Sequence, residues 1–90
     1  MKTRLPISPV REKLKAWVEK EKAKGRNVDQ MAMKLGMRSQ TFRGCLDKET
    51  ISAPNRTRFY QHRIIDKETE YSYLLWCKKH EIHYSPIAVY

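Results

Sequence analysis

The sequence predicts a small, mainly helical domain, and three observations carry that prediction. Apolar residues recur at three- and four-residue spacings, oxygen-bearing cap residues stand ahead of the periodic runs, and the 90 residues contain only three glycines. Apolar side chains spaced in this way fall on one face of a helix. So few glycines provide poorly for the tight hairpins of an antiparallel sheet. A chain of this length makes one domain and buries only about 60–65% of its unfolded surface. That leaves no room for a deep enzyme cleft.

Taken in order, "MKTRLPI" (1–7) reads as a short basic arm. Ser8 followed by Pro9 marks a helix start, with a side-chain oxygen as cap and a proline where no amide hydrogen is needed. Val10, Leu14, Trp17 and Val18 then form one stripe, and Gly25 ends the helix. The intervening "EKEKAK" reads as a solvated face laced with weak ion pairs. Asn27 can cap a second helix, with Gln30 returning the bond as in a capping box. Met31, Ala32 and Leu35 share its inner face, and Gly36 allows the left-handed turn that stops it. A third helix fits "RSQTFRGCLDKE", starting at Arg38 or Ser39, with Phe42, Cys45 and Leu46 inward and Ser39, Gln40, Arg43 and Gly44 outward.

The second half is less sharply patterned. "ISAPNRTRFYQHRIID" opens as a loop through Pro54 and continues as a helix, with Phe59 or Tyr60 and Ile64 apolar, or as a strand. Asp66 caps a last helix, "KETEYSYLLWCKKH", whose inner stripe is expected at Tyr71, Leu74, Leu75 and Cys77 or Lys78. Its acids lead and its bases close, the order the helix dipole favours. The tail "EIHYSPIAVY" is rich in β-branched and aromatic residues, which leaves room for a short C-terminal strand.

Charge divides the single domain in two. Nineteen Lys and Arg against ten Asp and Glu give a net charge of +9. Residues 8–46, with the arm before them, hold twelve basic and four acidic side chains, whereas residues 47–90 hold seven and six. The first half thus suits a polyanion, and the near-neutral second half suits completion of the core and dimerisation. Two cysteines, Cys45 and Cys77, and no signal-like N-terminal apolar stretch point to the reducing cytoplasm. The longest apolar cluster, "YLLWC", is far too short to span a bilayer.

The stretch "MAMKLGMRSQTFRGCL" (31–46) lies in the basic half. Residues 28–46, which contain it, resemble the helix-turn-helix of bacterial and phage transcription regulators, the group of λ-type repressors and Cro proteins. In that family a small residue in the first helix lets the second pack close, a glycine four places on makes the turn, an aliphatic residue follows, and another apolar residue comes six places after the glycine. Ala32, Gly36, Met37 and Phe42 fill those places here, with Met31 and Leu35 flanking. Phe42 is bulkier than the usual Val or Ile, Arg38 replaces a common capping Ser, and Gly44 lies inside the second helix, where glycine costs about 1 kcal/mol relative to alanine.

The resemblance implies double-stranded DNA as partner, sequence-specific binding, and a role in transcription regulation. The second helix would enter the major groove with Arg38, Ser39, Gln40 and Arg43 near base edges, Thr41 on a phosphate or thymine methyl, and Gly44 allowing close approach. Arg can fork to guanine O6 and N7, and Gln to adenine N6 and N7. "PNRTRFYQHR" follows with three Arg and no acid, so Asn55, Arg56 and Arg58 are expected on the phosphate backbone. A winged geometry, with this stretch as a β-ribbon, is the alternative. Regulators of this type usually dimerise, and a homodimer through the second half and its tail is expected.

Other chemistry is weaker. Cys77, His80 and His83 are chemically reasonable zinc ligands, but a continuing helix would point Cys77 and His83 to different faces, so no metal or other cofactor is expected. No paired carboxylates, activated nucleophile or phosphate-binding glycine loop suggests catalysis. The Tyr and Trp residues could stack on single strands, yet most lie in the near-neutral half. A second function class remains: a small module that binds a protein partner, for example RNA polymerase, with only non-specific affinity for nucleic acid.

Overall fold

The computed structural model describes residues 5–87. Among the described residues the chain forms α1 (Pro9–Ala23), α2 (Val28–Leu35), α3 (Ser39–Asp47), α4 (Ala53–Gln61) and α5 (Lys67–Lys79), and no strand. Residues 1–4 of the expected basic arm and 88–90 of the expected tail lie outside the described residues; residues 5–7 are irregular and exposed.

The three expected oxygen caps form. Ser8 Oγ accepts from the Arg11 amide at 3.2 Å, Asn27 and Gln30 exchange both bonds of a capping box at 2.8 and 2.9 Å, and Asp66 accepts from the Thr69 amide at 2.8 Å. Four of the helices close alike at their C-termini. A left-handed residue follows the helix, and the next amide reaches back five residues to a carbonyl. Gly25 (φ 84°) and Gly36 (φ 70°) do this for α1 and α2, Arg63 (φ 59°) and Glu81 (φ 56°) for α4 and α5. The returning bonds are Arg26 to Glu21 at 3.1 Å, Met37 to Ala32 at 2.9 Å, Ile64 to Phe59 at 2.9 Å and Ile82 to Cys77 at 2.8 Å.

α1 is the central element and packs against α5, α3 and α2. Its stripe of Val10, Leu14 and Val18 is buried with Met31, Ala32, Leu35, Phe42, Cys45, Ile51, Phe59, Ile65, Tyr73, Trp76 and Cys77 in one core. Trp17, half-buried, sets its ring edge against Phe42 with centroids 6.3 Å apart. Glu21 is also buried, and the run of charge around it is not purely solvated: Lys24, Arg26 and Lys34 converge on its carboxylate at 3.3, 2.6 and 3.2 Å.

The second half departs from expectation in three places. Residues 53–61 are helical, which removes the ribbon, and α4 begins before Pro54, whose missing amide hydrogen costs nothing in the first turn. α5 is rotated relative to its expected stripe. Thr69, Glu70, Tyr73, Trp76 and Cys77 face inward, while Tyr71 and Leu75 stay 61% and 48% exposed. The inward face has an apolar stripe of its own, Tyr73, Trp76 and Cys77, and it is the one that also brings Glu70 to the buried Arg56. Finally, residues 82–87 make no strand but fold back, with Ile82 and Tyr84 packed on the core and the Tyr84 ring 6.2 Å from Tyr73.

Candidate nucleic-acid interface

α2 and α3 meet through a short connection built by sequence. Gly36 takes the left-handed conformation, Met37 and Arg38 are extended or irregular, and α3 starts at Ser39. Met31, Ala32 and Leu35 from α2 and Phe42 and Cys45 from α3 are buried together, and the small Ala32 side chain permits the close crossing. Arg58 arrives from α4 and donates from Nη1 to the Leu35 carbonyl at 3.0 Å. A Cβ on residue 36 would stand 2.8 Å from that Nη1. The positive φ therefore favours glycine here, while the guanidinium, at the end of a flexible exposed side chain, can shift aside.

This packing turns the other side of α3 outward. Gln40, Thr41 and Arg43 are exposed, Ser39 and Gly44 are half-buried, and Arg38 is exposed at the N-cap, where its side chain makes no capping bond. The expected outward set is thus on one accessible surface. Gly44 does not end the helix, which runs on to Asp47, and a Cβ at Gly44 would meet nothing within 4 Å. Arg43 is not idle: its Nη2 lies 3.2 Å from Asp29 Oδ1 in the first turn of α2. Hydrogen bonding from the Ser39 hydroxyl and from Arg43 holds the Asp29 carboxyl below the usual carboxylate range.

Gln40, Thr41, Gly44 and Asn55 line one open groove of about 650 Å³ between α3 and the start of α4. Lys48, His83 and Ser85 stand on its walls beside apolar residues such as Ile51 and Tyr73, and no carboxylate lines it. Lys48 and the polar donors suit an anionic chain along an acid-free concavity whose floor is in large part apolar. Lys48 stands in a "DKET" that reads in sequence as a helix boundary, and Ser85 arrives only because the tail folds back.

Arg56 is a correction. Expected on the surface against phosphate, it is 1% exposed. Its Nε donates to the Ile51 carbonyl at 2.9 Å, Nη1 to the Glu70 carboxylate and Nη2 to the Ser85 carbonyl, and its guanidinium lies 4.6 and 5.0 Å from the Tyr73 and Tyr84 ring centroids. The Tyr84 hydroxyl donates to the same Glu70 carboxylate. A buried charge needs a partner and bonds to its remaining donors, and one arginine here ties together the loop before α4, α5 and the tail. Arg58 remains exposed, with one donor on the turn, and Asn55 is half-buried.

The zinc alternative is not assembled. Cys77 is in the core, His80 sits with its ring 5.0 Å from Trp76, and His83 lines the groove. Among the described residues no group of three His, Cys, Asp or Glu side chains is placed to hold a metal ion. Likewise no described helix is long and apolar enough to cross a membrane.

Comparison with protein families, curated proteins and solved structures finds no match to this chain.

Proposed function

We propose that the chain is a sequence-specific double-stranded DNA-binding protein, a transcription regulator that presents α3 to the major groove as the second helix of a helix-turn-helix. The observation that carries this reading is the outward surface of α3. Gln40, Thr41 and Arg43 are exposed beside Arg38 on a short helix joined to α2 through a left-handed Gly36. That surface belongs to the half of the chain with twelve basic and four acidic residues. In such an arrangement Arg and Gln have two-bond partners on guanine and adenine, while Lys48, Asn55 and the start of α4 border the groove where a phosphate backbone would run.

The reading includes two copies acting together in the cytoplasm, since one such helix touches only a few base pairs. The competing reading is a protein-interaction module with non-specific affinity for nucleic acid, and the exposed Tyr71 and Leu75 on α5 favour it. Selection of bound duplexes from a random pool separates the two. Regulator function predicts enrichment of one motif, and log K that falls with log salt at a slope of about −4 to −5 if about five phosphates are neutralised. A bound pool without a motif favours the module, and a slope near zero ends the DNA reading.

A further inference from the structure

Asp29 runs against the charge of the surface it belongs to. It is one of only four acids in residues 1–46, its side chain is 63% exposed, and it stands beside the outward set of α3. A carboxylate there repels a polyanion. An acid in a first turn does favour the helix dipole, but α2 is already secured by the reciprocal Asn27 and Gln30 bonds. The distinctive partners of Asp29 lie across the turn, at Ser39 and Arg43 in the first turn and a half of α3.

We infer that Asp29 is a positioning residue for base readout, holding the Arg43 guanidinium in the direction of a base edge and away from phosphate; this rests on the DNA reading of α3. An arginine presents five N–H donors in a rigid fork. One hydrogen of Nη2 given to Asp29 leaves enough of the fork to grip guanine O6 and N7 with two parallel bonds. Without the carboxylate the same long side chain is free to swing to the nearest phosphate, the contact that carries no sequence information. Asp29 thereby acts twice. It narrows where Arg43 points, and its own charge penalises binding that is driven by phosphates alone. Both effects raise the ratio of specific to non-specific affinity.

The test compares the full-length chain with Asp29→Ala, Asp29→Asn, Arg43→Ala and the Asp29→Ala/Arg43→Ala pair, each in a selection from random duplexes and in titrations of the selected and a scrambled duplex. Asp29→Ala is expected to bind the scrambled duplex more tightly, to lose about tenfold or more in the ratio of selected to scrambled affinity, and to lose preference at one base position. Arg43→Ala loses preference at that same position, and adding Asp29→Ala to it changes the selected motif no further, as expected of two residues acting as a unit. Asp29→Asn retains an acceptor oxygen and so keeps the base preference while binding the scrambled duplex more tightly. An Asp29→Ala protein that selects the same motif with the same ratio overturns the positioning role and leaves the DNA reading intact. A wild-type chain that enriches no motif overturns both.

Discussion

At the scale of single residues, Arg56 shows how one side chain can be charged and yet unavailable. Its guanidinium is buried against Glu70, Tyr73, Tyr84 and two carbonyls. Removing one partner of a buried pair leaves the other uncompensated, at a cost of about 3–5 kcal/mol. Arg56→Ala should therefore lower the urea midpoint of unfolding severely. A phosphate contact would instead leave the midpoint unchanged and weaken only DNA binding, so denaturation decides between the two roles. Glu21 gives the residue scale its pH dependence. Burial alone would raise its pKa, but Arg26, Lys34 and Lys24 outweigh that and bring it from an ordinary 4.5 to about 2. A carboxyl depressed in the folded state contributes stability that is fully present above its unfolded pKa and lost as pH falls through the folded one. Melting temperature should accordingly fall between pH 4.5 and about 2, more steeply in the wild type than in Glu21→Gln. Equal slopes would mean the three cations do not act on Glu21. Neither role was legible in the sequence. Arg56 and Glu21 lie in charged runs, and only the partners brought by the fold separate a buried charge from a solvated one.

At the scale of elements, legibility follows the local signals. α1 and α2 carry oxygen caps and terminal glycines, and their limits in the structure are those the sequence predicts. α4 and α5 end on Arg63 and Glu81, residues that give no advance sign of a left-handed turn. The face of α5 is ambiguous in sequence for a related reason: Tyr71 and Leu75 form one apolar stripe and Tyr73, Trp76 and Cys77 another, and only the second brings Glu70 to Arg56. The outward face of α3 was legible because Phe42 and Cys45 fix it and few alternatives exist. Asp29, one helix away, carried no signal in the linear pattern. Gly44 permits a direct test of α3. Since a methyl group there meets nothing within 4 Å, Gly44→Ala should stabilise the protein by up to about 1 kcal/mol. Where the groove accepts a DNA backbone, the same methyl should weaken binding to the selected duplex. Greater stability with undiminished binding would show that nothing approaches Gly44.

At the scale of the whole molecule, the described residues span 39 × 37 × 20 Å. Two such bodies side by side can carry reading helices about 34–36 Å apart, one turn of DNA. The proposed regulator should therefore select an inverted repeat with half-site centres about 10 base pairs apart, and light scattering of the protein with that duplex should give the mass of two chains per DNA. One chain per duplex at saturation would remove the dimer. The tail contributes less freely than its composition predicts, because residues 84 and 85 are engaged by Glu70 and Arg56 of their own chain.

α3 alone among the five described helices has neither a side-chain bond at its N-cap nor a closing turn at its C-terminus; Lys48 leaves it in an extended conformation, and the last turn is held instead by Arg11 Nε, which donates to the Leu46 carbonyl at 2.8 Å. Its first amides have no such side-chain cap, and local opening costs least where closure is missing. In hydrogen-exchange terms, the first turn of α3 should lose protection well before Phe42 does. A ligand that lies along this helix would have to spend part of its contact energy in quieting that turn, and in return would leave it slow to exchange, an imprint of occupancy readable amide by amide.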